Sequence, residues 1–275
     1  MNYHHIRVQI NTTHQPSYFI GSMLRGAMGY ALKKVTCINP SYRCEGCFAQ
    51  SSCLFYRFYE AQNILHPYRF EIELGSDGFD FGLYLFDDAC EGLPYVLSAL
   101  EMTLTQMGLT KNSYKFSDIK MSLNEVCVYE KSSFYPLDTP PQTFEVESFT
   151  PNIKIKLLTP LRIKKNNKFL RDSVEIEDIL RSIYQREQEI FYDKKVFKLD
   201  YKPTYTTTLN ALSHKSLIRK SNKQKATMNM DGIIGEIAIM GIDERSYRLL
   251  KLGEIIGVGK QTVMGLGRIE VEGIV

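Results

Sequence analysis

The sequence predicts an α+β protein built from two tandem ferredoxin-like (RRM-like) domains, each with the element order βαββαβ. Three observations lead there. Alternating apolar runs and helix-period runs follow one another in that order twice along the 275 residues. The stretch from Lys131 to Asn152 separates the two series and holds four of the ten prolines, Pro136, Pro140, Pro141 and Pro151. The length suits two domains of roughly 100–150 residues, each able to bury its own core. The expected boundaries are 1–135, a linker over 136–151, and 152–275.

In the first half, Tyr3–Asn11 places Ile6, Val8 and Ile10 on one face, the pattern of a half-buried strand. Ser17–Lys34 brings Phe19, Met23, Ala27 and Tyr30 about one turn apart, with Ser17 as the expected cap. Pro67–Leu74 and Phe79–Phe86 are strands joined by the hairpin signal Gly75-Ser76-Asp77-Gly78. Leu93–Met107 reads as a helix stopped by Gly108, and Asp118–Tyr129 as the closing strand. In the second half, Ile153–Ile163 is a strand and Glu175–Tyr192 a helix started by Asp172 or Ser173. Phe197–Met230 is expected to hold at least one further strand. Ile233–Met240, Glu244–Leu252 and Arg268–Val271 complete the order as strand, helix and strand.

A content of 44% hydrophobic and 24% charged residues, with 17 Tyr and 15 Phe, excludes a disordered chain. No apolar run approaches the ~18 residues of a membrane span. The first residues, with His4, His5 and Arg7, lack the apolar region of a secretory leader. The expectation is a cytoplasmic protein without a membrane partner. The net charge of +3 conceals an asymmetry: residues 1–148 carry 11 Lys and Arg against 16 Asp and Glu, whereas residues 149–275 carry 23 against 15. Arg162–Arg171 and Lys215–Lys225 each hold five cations and no acid. Clusters of this kind suit a polyanion partner, and also occur as solvated loops.

Gly257, Gly259, Gly265 and Gly267 lie within eleven positions, beside Lys260 and Arg268. Such a loop suits phosphate contact through backbone N–H groups, or forms a tight terminal hairpin. It is not a Walker A loop, since Glu254 stands where the first glycine belongs and Gln261 where Ser or Thr belongs. A dinucleotide loop fails as well, because Thr262 takes the place of the third glycine. Four of the six cysteines, Cys37, Cys44, Cys47 and Cys53, fall within seventeen residues of the first half. In a reducing compartment a structural zinc is the expectation for such an insert (37–53), with buried free thiols or an iron–sulfur cluster as alternatives. Four protein ligands would leave that zinc no open position for catalysis.

The run Gly257-Val258-Gly259-Lys260 followed by Gly265-Leu266-Gly267-Arg268 resembles the C-terminal signature of the RAMP superfamily, and specifically of the CRISPR-associated endoribonucleases that process precursor crRNA. The resemblance extends to Gly232–Glu236, to Leu250–Gln261, and to the basic stretch Ser221–Lys225. In the first half it takes in Gly21–Gly29, the segment Cys47–Cys53 with Tyr56 and Phe58, and His66-Pro67-Tyr68. These matches cover roughly residues 17–70 and 219–272. The resemblance implies metal-independent cleavage, with attack by the ribose 2′-OH leaving a 2′,3′-cyclic phosphate and a 5′-OH. That chemistry needs a base, an acid and cations for the developing charge.

Histidine suits the first two roles, so the five histidines are the field. His14, between the first strand and first helix and near Tyr18, is the first candidate. His66 and His214 are the alternatives, while His4 and His5 read as strand residues. Lys33 or Lys34, late on the first helix, is the candidate charge-stabilising cation, with Lys33 put first. Phosphate contact is expected from Arg219, Lys220, Lys223, Lys225, Lys260 and Arg268 together with the four loop glycines. The partner expected is CRISPR repeat RNA or crRNA, with proteins of a CRISPR effector complex in second place. The other function class is a non-catalytic RAMP subunit that holds crRNA inside such a complex. A zinc-stapled scaffold without RNA would leave the charge asymmetry unexplained.

Overall fold

The computed structural model describes residues 1–109, 113–221 and 226–274. It divides into two compact units, Met1–Thr143 and Phe144–Val275. The division lies inside the proline-bearing stretch, parts of which are tied to each unit. Gln142 and Thr143 pair with Tyr3 and Asn2 in the first unit. In the second unit Phe149 meets the Tyr247 ring edge-on at 5.4 Å, and Arg248 lies 5.5 Å from the Phe144 ring centre.

The first unit comprises β1 (Asn2–Ile10), α1 (Gly21–Thr36), β2 (Tyr68–Glu71), β3 (Phe81–Phe86), α2 (Leu93–Glu101), β4 (Ile119–Leu123), β5 (Val126–Glu130), β6 (Ser133–Phe134) and β7 (Gln142–Thr143). Its antiparallel core runs in the order β2-β3-β1-β4, which is that of a ferredoxin-like sheet. β5 and β6 extend the sheet past β4. Ile6, Val8 and Ile10 alternate into the core, and Leu24, Met28 and Leu32 of α1, spaced four residues apart, are buried as well. Burying each such aliphatic side chain contributes about 1.5–3 kcal/mol.

Three local expectations are corrected here. α1 begins at Gly21, because the Ser17 hydroxyl donates to Phe19 O instead of capping the helix. The helix expected to run to Met107 keeps α geometry only to Glu101; Met102–Met107 forms a wider π turn that Gly108 closes at φ 80°. The single strand expected over Asp118–Tyr129 is two, because Asn124 and Glu125 both take left-handed φ (48° and 72°) and reverse the chain.

The second unit repeats the plan with β8 (Ile153–Leu161), β9 (Lys164–Lys165), β10 (Lys168–Phe169), α3 (Ile176–Tyr192), β11 (Thr206–Lys215), β12 (Ile218–Ser221), β13 (Ala226–Asn229), β14 (Gly232–Met240), α4 (Glu244–Ile256) and β15 (Ile269–Gly273). Its main sheet has the order β11-β14-β8-β15, again ferredoxin-like. Two small hairpins are added: β9–β10 between β8 and α3, and β12–β13 between β11 and β14. Neither Asp172 nor Ser173 caps α3, whose N-cap position is Glu175. α4 continues four residues past the expected end at Leu252. A Cβ at Gly253 would stand 2.6 Å from the Ile183 side chain, so this glycine lets α3 come close and does not end the helix. Among the described residues no helix is long and apolar enough to cross a membrane.

Candidate functional site

The glycine-rich segment 257–268 leaves the end of α4 and leads into β15. All four of its glycines have positive φ, between 69° and 81°. Their amides are spent inside the fold. Gly257 N donates to Gly253 O at 2.9 Å, Gly259 N to Ser182 Oγ at 2.9 Å, Gly265 N to Thr262 O at 2.9 Å, and Gly267 N to Pro160 O at 3.2 Å. The expected cradle of glycine N–H groups therefore gives way to a closed frame. β8 stitches that frame through buried Thr159, whose hydroxyl donates to Gly265 O and accepts from Arg268 N, both at 2.9 Å. α3 adds Ser182 and, one turn on, Arg186, which donates from Nε (3.2 Å) and Nη2 (2.9 Å) to Ile256 O at the end of α4. What the frame presents is side chain: Lys260 is exposed and Arg268 half-buried.

Arg162, at the end of β8, joins this frame to its neighbours. Its carbonyl accepts from Lys260 N at 2.8 Å. Its guanidinium, only 6% exposed, donates to Asp231 O and lies 4.3 Å from the Phe169 ring centre. Burial pushes the Arg162 pKa down, against the pull of the Asp231 carboxylate. The β9–β10 hairpin, which carries Lys164, Lys165, Lys168 and Phe169, is held to α3 by Lys165 Nζ on buried Asp178 at 3.0 Å.

Asp231 closes the base of the β12–β13 hairpin. Its carboxylate accepts from Leu217 N (2.8 Å), Ser216 Oγ (3.2 Å) and Asn229 Nδ2 (2.6 Å), and stands 3.7 Å from His214 Nε2. Burial pushes this carboxyl up, but the hydrogen bonds and His214 outweigh it and leave the pKa below its ordinary value. The second unit thus assembles the glycine frame, the cations of 162–171, His214 and the base of the basic hairpin at connected positions. Arg219 and Lys220 lie on β12, opposite Met228 and Thr227. Lys223 and Lys225 fall outside the described residues.

The remaining candidates belong to the first unit. His14 is exposed in the connection 11–20, its ring stacked on Tyr114 at 4.0 Å and 12°. Tyr18 lies in the same connection, where its carbonyl accepts from Gly75 N at 2.9 Å. Lys33 is drawn into the cysteine-bearing segment: its ammonium lies 4.9 Å from the Tyr42 ring centre and 5.1 Å from that of Phe55, and it hydrogen-bonds Cys44. His66 Nδ1 is 2.9 Å from Arg57 O, a contact that fixes the chain ahead of β2. Cys37, Cys44, Cys47 and Cys53 all line one cavity of about 260 Å³. As placed, no three metal-ligating side chains form a metal-holding group among the described residues.

Residues 155–269 match the family model described as CRISPR-associated endoribonuclease Cas6. Residues 1–139 match a second model, AF_1859_N, described as an N-terminal domain. The second unit thus carries the match to Cas6. An uncharacterized protein of Archaeoglobus fulgidus is 23% identical over 274 residues, covering 90% of each chain. Among solved structures, the Cas6 (TTHB231) product complex superposes with a TM-score of 0.59 at 15% identity, over 98% of this chain and 99% of that one. The Cas6 (TTHA0078) product complex gives 0.55 at 12% identity, over 99% and 100%. Thermus thermophilus Cas6 (TTHB231) gives 0.54 at 14% identity, over 98% of each. These likenesses show the tandem ferredoxin-like fold.

The residues that hold the glycine frame, Thr159, Ser182 and Arg186, and Asp231 at the base of the β12–β13 hairpin, are not among the candidates read from the sequence. For α3 a signal exists, since Asp178, Ser182 and Arg186 recur every four residues and so share one helix face.

Proposed function

We propose that the protein is an endoribonuclease that binds CRISPR repeat RNA and cuts precursor crRNA by metal-independent attack of a ribose 2′-OH. The bond from the phosphorus to the 5′ oxygen breaks, leaving a 2′,3′-cyclic phosphate and a 5′-OH. The match of residues 155–269 to the Cas6 endoribonuclease model supports the reaction class. The observation that carries the reading on this chain is the closed glycine frame presenting Lys260 next to the acid-free run 162–171. A fixed array of cations suits a phosphodiester and its developing charge. Solved structures of the same fold include product complexes and a substrate mimic complex of Cas6 proteins, in keeping with an RNA ligand.

His14 is the first candidate to take the 2′-OH proton or to protonate the leaving oxygen, with Tyr18 in the same connection. Its stacking on Tyr114 limits where the imidazole points. His214 is the alternative, oriented by the Asp231 carboxylate. Lys33 and His66 have structural partners that account for their positions, so their catalytic roles are the weaker proposals. For the cysteine segment we retain a structural zinc, for which four thiols lining one cavity are a fitting donor set.

The test is incubation of the purified protein with repeat RNA in EDTA, beside RNAs carrying a single 2′-deoxy at each candidate position. One discrete cut that a single deoxy substitution abolishes is expected, and His14→Ala, His66→Ala and His214→Ala then rank the histidines. Tight binding with no cut would assign the chain to the crRNA-holding subunits instead. Neither binding nor cutting would remove RNA from the account.

A further inference from the structure

We propose that Phe169, at the end of the β9–β10 hairpin, is a stacking platform for one unpaired nucleobase of bound RNA. This rests on the RNA-binding reading above and names a contact within it. Phenylalanine is ordinarily an interior residue, yet this ring is 36% exposed on a hairpin whose residues 164–169 all face solvent.

The ring is nonetheless fixed. The Arg162 guanidinium lies 4.3 Å from its centre and is itself held by Asp231 O. Because Arg162 is almost wholly buried, it supports the ring from the protein side. The hairpin backbone is equally constrained. Phe169 pairs with Lys164 and Lys168 with Lys165, around a turn in which Asn166 and Asn167 take left-handed φ. Leu170 N donates to Ile163 O at 2.9 Å, and Lys165 is tied to Asp178. An apolar ring kept exposed and stationary at this cost in solvation is suited to a flat partner.

The surroundings say which flat partner. Lys164 Nζ is 5.0 Å from the ring centre, and Lys168 and Arg171 are exposed nearby in sequence. Lys260 is linked through its amide to the Arg162 carbonyl. A ligand that combines flat rings with one anion per unit is single-stranded nucleic acid, and stacking of splayed bases on aromatic side chains is how unpaired RNA is commonly read. An acidic peptide would satisfy the cations but leave the ring with no planar partner.

The chain contains no tryptophan, so Phe169→Trp installs a fluorophore that reports on this position alone. Unpaired repeat RNA carrying a dye would be titrated into the full-length wild type, Phe169→Trp and Phe169→Ala, with anisotropy reporting binding and tryptophan emission reporting stacking. Quenching that follows the anisotropy curve is expected in Phe169→Trp. Phe169→Ala should bind about 5- to 100-fold more weakly with its salt slope unchanged, because the lost contact is not ionic, and Phe169→Trp should restore the affinity. Binding without quenching, together with undiminished affinity in Phe169→Ala, would overturn the platform alone. Absence of binding by the wild type would overturn the RNA reading on which it rests.

Discussion

The amide of Gly259 donates to the hydroxyl of Ser182 at 2.9 Å, so the glycine frame is positioned by α3 as well as by α4, which leads into it. Arg186, one turn further along α3, holds the end of α4 by its final carbonyl. Ser182→Ala leaves the Gly259 amide without its acceptor, at a cost of about 1–3 kcal/mol. Urea unfolding should show that loss, and RNA affinity should fall with it because the loop loses its anchor. Unchanged stability would mean that another acceptor takes the amide.

Two glycine substitutions should act in opposite directions. At Gly267 a Cβ would stand 1.8 Å from the Val258 carbonyl oxygen, and φ is 69°. At Gly26, inside α1, nothing lies within 4 Å of the same atom. Gly267→Ala should therefore unfold or rearrange the second unit, read as a large drop in melting temperature. Gly26→Ala should stabilise the first unit by up to about 1 kcal/mol, the helix propensity difference. A mild Gly267→Ala would refute the tight-frame account.

Asp243 caps α4, accepting from Ser246 N at 2.9 Å and Thr204 N at 2.9 Å. Burial pushes its carboxyl up, but the hydrogen bonds outweigh it and leave the pKa below the ordinary value. A carboxyl lowered in the folded state stabilises above its unfolded value, near 3.9, and that stabilisation is lost as pH falls through the folded value. Asp243→Ala should cost about 0.5–2 kcal/mol at pH 7. The gap between wild type and variant should narrow below about pH 4, measured by chemical unfolding across pH. A gap independent of pH would mean that the cap acts without its charge.

The cysteine segment offers a test by removal. Burial pushes the Cys44 thiol up, against the pull of the Lys33 ammonium. Zinc binding by Cys37, Cys44, Cys47 and Cys53 predicts one metal per purified chain, lost in Cys47→Ser together with thermal stability. Four fully reactive thiols and no metal in the untreated protein would reject the zinc.

Salt dependence addresses the β12–β13 hairpin. Lys220→Ala combined with Lys223→Ala should weaken repeat-RNA binding and reduce the slope of log affinity against log salt by about 1–1.5, the share of two phosphate contacts on single-stranded RNA. An unchanged slope would remove the basic stretch 215–225 from the interface.

The order of elements was legible because apolar periods of two and of about 3.6 survive in the core strands and helices, as in Ile6-Val8-Ile10 and Leu24-Met28-Leu32. Ends were harder to place, for identifiable reasons. The helix expected to end at Leu252 runs on through Gly253, which serves contact with Ile183. The alternation of 118–129 ran straight through a reversal at Asn124 and Glu125 that carries no glycine. The glycine loop was legible from its composition, whereas the use of its amides was not, since only the Thr262 acceptor lies in the loop itself and those on Pro160, Ser182 and Gly253 come from three other elements. Lys33 was read from its place on the helix, but its partners Tyr42, Cys44 and Phe55 come from an irregular segment that periodicity does not position.

A loop whose glycine amides all close on the protein itself divides its positions into two classes. Gly257, Gly259, Gly265 and Gly267 fix its path. Lys260 stands on that path with its side chain in solvent, while Gln261 and Val263 are partly covered. Exchange of the exposed side chain changes what the loop offers a ligand without asking the backbone to move. The chemistry displayed at this end of the second unit can therefore be rewritten one side chain at a time, on a scaffold that stays as it is.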